Sequence, residues 1–164
     1  MRAFWRGFDK VIDWMLFSSG AIIAFITIAV CYSVIMRYFF KQPPIWVVQT
    51  CEYALLWLVF LGTTWLLREK GHVAVDIIYS RFDERKRAWM NCFTFMGAML
   101  VCLIASIIGF FYTLECIQND VMDVRAVRVP KYIVFFIIPV GMSFLSVQFF
   151  RMWWNEFGKL RRKV

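Results

Sequence analysis

Residues 37–76 read RYFFKQPPIWVVQTCEYALLWLVFLGTTWLLREKGHVAVD: a basic aromatic collar, a proline turn, an apolar run with one carboxylate, and a charged exit. From Ile45 to Leu67 there are 23 residues whose only charged member is Glu52. At about 1.5 Å of rise per residue, a helix of that length crosses a hydrocarbon layer about 30 Å thick. The segment reads as a transmembrane helix. A carboxylate within it is unfavourable unless it is paired, protonated or turned toward a protein neighbour, so Glu52 asks for a partner.

Working back toward the amino terminus, Trp14 to about Met36 forms another apolar span, closed by Arg37, Tyr38, Phe39 and Phe40 in the manner of a membrane interface. Gly20 and Ala24 stand four apart on a small-residue face that would let another helix approach closely. Lys41-Gln42-Pro43-Pro44 is long enough only for a turn, and proline suits the first position of the helix that follows. The two spans therefore form an antiparallel hairpin. The basic residues before Trp14 precede an apolar run too long for a signal-peptide core, so that run is expected to stay as the first span.

Toward the carboxyl terminus, residues 68–87 mix charge with Val73, Val75, Ile77, Ile78, Tyr79 and Phe82. An amphipathic helix lying in the membrane interface is the expected state. A third span covers about Trp89 to Leu114, 26 residues without a charge, with Ala105 and Gly109 as a second close-packing face. Glu115 to Lys131 is polar and ends at Val129-Pro130, which interrupts regular structure. The fourth span, about Tyr132 to Phe150, reads as the shortest, with Pro139 expected to kink it near its middle. Arg151 to Val164, with two tryptophans and five basic residues, reads as a terminal anchor. The expected fold is an all-α integral membrane protein: one membrane domain over 1–164 with spans at about 14–36, 45–67, 89–114 and 132–150.

Composition agrees. The chain is 62% hydrophobic, and its mean hydropathy of +0.64 lies outside the soluble range. Its net charge of +8 sits in clusters beside the apolar runs, where it sets orientation and meets anionic lipid, so a nucleic-acid partner is not expected. Fourteen Lys and Arg flank one side, in the amino terminus, the 68–87 connection and the carboxyl terminus; five flank the other. Both termini are accordingly expected in the cytoplasm. Of five cysteines, four fall inside spans as small apolar residues, leaving Cys116 as the one an oxidising compartment would reach.

Chemistry is sparse. A single histidine, His72, cannot ligate a haem through two imidazoles or build a histidine-rich metal site, and no thiol pair, phosphate loop or nucleophile elbow is present. No catalytic residue, metal ligand or cofactor is assigned. Glu52, with Gln49 one turn before it and Thr50 and Cys51 beside it, makes a polar patch in the outer third of its span. That patch suits helix packing or a subunit contact better than a proton pathway. Arg37 lies about 10 Å from Glu52 in depth, a long reach for direct pairing. Arg68, His72 and Asp76 stand four apart and share a face if their segment is helical.

The run Arg37-Tyr38-Phe39, Pro43, Trp46, an acidic residue in the next turns, Leu61-Gly62, Arg68, Gly71-His72-Val73 and Asp76 resembles the small membrane subunit (Q type, DctQ-like) of tripartite ATP-independent periplasmic (TRAP) transporters. In that family an acidic residue commonly stands three positions after the tryptophan. Here that position is Gln49, and Glu52 follows one turn later, so which of them takes the role stays open.

The resemblance implies a bacterial inner-membrane uptake system for organic acids. A periplasmic substrate-binding protein delivers the solute to a large multi-spanning membrane subunit (M type), which carries the substrate and sodium sites and moves as an elevator. The small subunit braces that scaffold, contacting it and membrane lipid. Arg37, Trp46, Gln49, Glu52, Arg68, His72 and Asp76 are then interface or structural polar positions, and Gly20, Ala24, Gly62, Ala105 and Gly109 helix-packing positions. The competing reading is a small four-helix proton-coupled exporter that uses Glu52.

Overall fold

The computed structural model describes residues 2–42, 44–69, 84–125 and 127–162. The interfacial helix expected after residue 69, and with it His72 and Asp76, lies outside the described residues. The elements are α1 (Arg2–Phe39), α2 (Ile45–Arg68), α3 (Glu84–Gln118), a hairpin of β1 (Met122–Val124) and β2 (Arg128–Pro130), then α4 (Lys131–Phe135) and α5 (Ile137–Arg162). Among the described residues, four helical segments are long and apolar enough to cross a membrane: Trp5–Phe39, Ile45–Arg68, Trp89–Gln118 and Lys131–Gly158. The four-span helical fold read from the sequence is the fold observed.

Three expectations need correction. The fourth span is not the shortest: it runs 28 residues, against 24 for α2. Its helix continues through Arg151 because that charge is neutralised by Asp9 of α1, 2.7 Å away. The proline break also falls earlier than the middle of the span. The regular helix is interrupted at Phe136, three residues before Pro139, because the proline ring removes the hydrogen bond to the Phe135 carbonyl and crowds it. The Phe136 amide still donates to the Tyr132 carbonyl at 2.9 Å, so the chain bends there without unwinding. Finally, Cys116, expected to be accessible, is buried with 3% of its surface exposed, while Cys31 is exposed.

The 115–131 connection holds a small antiparallel hairpin that the sequence reading did not anticipate, with Asp123 opposite Val129. It is set up by the end of α3. Asp120 adopts a left-handed conformation (φ 44°), the Val121 amide donates to the Cys116 carbonyl at 3.1 Å, and the Asp120 amide to that of Ile117 at 3.4 Å. This double bond pattern caps the helix and reverses the chain. The Lys131 amide then donates to the Val121 carbonyl at 3.0 Å, closing the base of the hairpin against the start of α4.

The main helix contacts are α1 on α2, α2 on α5, and α5 on α3, and α1 also meets α5 through Phe8 on Phe144 and Asp9 on Arg151. The most covered span is that of α4 and α5, with 39% of its most apolar stretch buried against none for α3. Its approach to α2 is fixed by Gly141, where a Cβ would lie 2.8 Å from the Cβ of Phe60. On the other side α3 rests on the proline: a Cβ on Gly109 would lie 3.3 Å from Pro139 Cδ, and Ser106 Oγ donates to the Pro139 carbonyl at 3.0 Å. Tyr112 meets Phe135 edge to face at 5.3 Å. Large apolar side chains such as Phe17, Ile28, Val101 and Ile108 face outward, as suits helices solvated by lipid or a partner.

Candidate functional site: two polar clusters at opposite ends of the row

One cluster joins α2 to the hairpin. Gln49 is buried, and its side-chain amide treats Val127 as a strand treats its neighbour. Gln49 Oε1 accepts from the Val127 amide at 2.8 Å, and Gln49 Nε2 donates to the Val127 carbonyl at 3.1 Å. One turn along, the Tyr53 hydroxyl accepts from Gln49 Nε2 at 2.7 Å and donates to Asp123 Oδ2 at 2.6 Å. Helical spacing of four puts the amide and the phenol on one face, so a single side of α2 grips β1 and the loop that follows it. These bonds satisfy buried polar groups that would each be unfavourable alone.

Glu52 finds its partner in this cluster. Arg125 Nη1 lies 2.9 Å from Glu52 Oε2, and Arg125 Nε lies 3.5 Å from Asp123 Oδ1. The pairing cation thus comes from the loop between β1 and β2, while Arg37 near the carboxyl-terminal end of α1 is exposed. Both side chains are more than half exposed, at 62% for Arg125 and 52% for Glu52, so the pair steers the loop more than it stabilises it. Trp46 sits a turn before Gln49, its ring 6.3 Å from that of Tyr32, joining α2 to α1 at the same level.

The other cluster ties three helices together. Arg68 ends α2 by donating from Nη2 to Asp13 Oδ1 at 2.7 Å and from Nη1 to the Asp9 carbonyl at 3.1 Å. Asp9 uses its carboxylate on Arg151 of α5 at 2.7 Å, and that guanidinium lies 4.8 Å over the Trp5 ring. Phe8 stacks on Phe144 just beside it at 5.5 Å. Arg68, placed by spacing on a face with His72 and Asp76, therefore has its guanidinium engaged by α1.

Among the packing positions, Gly62 faces Ser19, whose Oγ would lie 3.9 Å from an added Cβ, and Gly109 faces Pro139. Ala105 is half-buried, whereas Gly20 has nothing within 4 Å of an added Cβ and Ala24 is exposed. The small-residue face of α1 thus lies on the outside of the described fold. Sequence reasoning missed Tyr53, Asp123, Arg125, Asp9, Asp13, Arg151 and Gly141. Asp9 and Asp13, two carboxylates four apart in an otherwise basic segment, were a readable signal. Among the described residues no set of three His, Cys, Asp or Glu side chains is placed to hold a metal.

Comparison with known proteins adds a family. The model of the DctQ component of tripartite ATP-independent periplasmic transporters matches residues 26–159. The C4-dicarboxylate TRAP transporter small permease protein DctQ of Vibrio cholerae is 22% identical over 80% of this chain and 66% of its own. The protein of that name from Rhodobacter capsulatus is 21% identical over 66% of this chain and 47% of its own. The chain thus spans about half to two thirds of the length of these relatives.

Proposed function

The chain belongs to the DctQ component family of tripartite ATP-independent periplasmic transporters, and from that premise we propose that it is the non-catalytic small membrane subunit of a sodium-coupled importer of an organic acid. Proteins of this family are small permease subunits of transporters, not enzymes. In this reading both termini face the cytoplasm of a bacterial inner membrane, and the outer hairpin faces the periplasm. A large M-type membrane subunit carries the solute, a C4-dicarboxylate, sialic acid or similar carboxylate supplied by a periplasmic binding protein. The sodium sites belong to the large subunit, and this chain braces its scaffold as one membrane domain.

The observation that carries the reading is how the polar residues are used. Gln49, Tyr53, Glu52, Arg68, Asp9, Asp13 and Arg151 are all occupied in fastening one element of the chain to another. None is left aimed into a continuous polar path, which also weighs against an exporter built on Glu52, since Arg125 answers that carboxylate.

The test is co-purification and flux. The chain is expected to purify as a stable complex with a much larger multi-spanning protein, and vesicles holding this chain alone are expected to show no solute or proton flux. A chain that is monodisperse and folded by itself, in a system where uptake proceeds without it, would overturn the scaffold role. Proton-coupled flux from the purified chain that Glu52→Gln abolishes would establish the exporter instead.

A further inference from the structure

Between the inner charge cluster and the Phe60–Gly141 contact lies a junction of α1, α2 and α5 with an unmet polar demand. Thr64 is 0% exposed and Gln148 3% exposed, and neither Thr64 Oγ1 nor Gln148 Oε1 has a hydrogen-bond partner among the described residues. Helix geometry puts them on one seam. Thr64 is one turn beyond Phe60 on α2, and Gln148 two turns beyond Gly141 on α5; Phe60 and Gly141 are in contact. The two helices run parallel, so with that contact as a common level Thr64 lies about 6 Å further along and Gln148 about 10.5 Å. The offset is about 4.5 Å, and a long side chain on a helix leans back toward its amino-terminal end, here toward the level of Thr64.

Buried apolar side chains stand on the neighbouring turns. Ile12 and Met15 of α1 are buried, as are Leu67 of α2 and Leu145 of α5. At the inner end Arg68 is held by Asp13 and Arg151 by Asp9, one turn past Thr64 and Gln148 respectively. Those apolar neighbours supply no hydrogen bond, and a buried oxygen without a partner is unfavourable by an amount comparable to a lost hydrogen bond.

We propose that Thr64 and Gln148 together hold a buried water molecule at the three-helix junction. The water donates to Gln148 Oε1 and exchanges a second bond with the Thr64 hydroxyl, which can donate or accept. Two side-chain partners reach the lower end of what an internal water ordinarily makes. The site is independent of the transport role assigned above, because it rests only on contacts within this chain.

The test is X-ray hydroxyl-radical footprinting of the full chain in nanodiscs, which labels side chains beside ordered internal water. Ile12 is expected to be labelled rapidly despite its burial, while Ile137, the same residue type and also buried but at the start of α5, is not; labelling of Ile12 no faster than of Ile137 overturns the proposal. Thr64→Val is expected to abolish the signal and to lower Tm by about 2–4 °C, because Gln148 loses its bridge. A rise in Tm would mean that the hydroxyl was merely unsatisfied, and would also overturn it. Should the variant fail to fold, the wild-type footprint still decides. A Tm that depends on sodium rather than potassium, with no footprint, would make the occupant a cation and refute the assignment to water.

Discussion

The side-chain amide of Gln49 pairs with both backbone groups of Val127, accepting at 2.8 Å and donating at 3.1 Å. A helix residue thereby pairs with the loop of the hairpin as a neighbouring strand would, and the loop is tied to α2. Gln49→Glu keeps the shape but cannot donate to the Val127 carbonyl and turns an anion toward it. The loss is expected to be about 1–3 kcal/mol. Thermal unfolding in detergent measures it, and faster tryptic cleavage at Arg125 and Arg128 locates it to the hairpin.

Gly141 is expected to be the least replaceable glycine described. Its Cβ would fall 2.8 Å from Phe60 Cβ, which belongs to the stem of the side chain and cannot swing aside. Gly141→Ala should lower stability by about 1–3 kcal/mol, with Phe60→Ala restoring part of it. A double-mutant cycle on Tm checks both statements.

Gly20→Leu gives the contrasting outcome. With nothing within 4 Å of an added Cβ, it should leave the fold of the chain untouched. If the α1 surface takes a partner, assembly on a native gel is lost while Tm of the isolated chain holds; unchanged assembly assigns that surface to lipid.

Removing Asp9 should be worse than removing Glu52. Asp9 holds Arg151 with both partners about one-third exposed and offers its carbonyl to Arg68, whereas the Glu52 pair is mostly exposed. Asp9→Asn is expected to lower stability by about 1.5–3 kcal/mol and Glu52→Gln by less than about 1 kcal/mol. Equal losses would show that the exposure difference does not govern these pairs.

Asp120→Gly should stabilise the chain by up to about 1 kcal/mol, since φ at this position is 44° and glycine meets no Cβ penalty there. The gain would appear in Tm.

The four spans were legible because hydropathy is a local property: a run such as 45–67 states its own environment. Glu52's need for a partner was legible for the same reason, but the partner's identity was not. Arg125 lies 73 residues away, and only the fold of an unanticipated hairpin brings it near. Three-residue strands leave no period to read. The contact of Gly141 with Phe60 depends on which helices adjoin, which no local pattern states. The length of α5 was underestimated because a charge reads as the end of an apolar run until its counter-ion is seen.

Apart from the place where three helices meet, these rods stand side by side like a palisade, and such a fence has very little inside. Most of its side chains touch whatever stands on either side, so the surrounding medium supplies packing that a globular protein finds within itself. Its endurance on heating will therefore follow the acyl length of the amphiphile around it more closely than any exchange of one greasy residue for another.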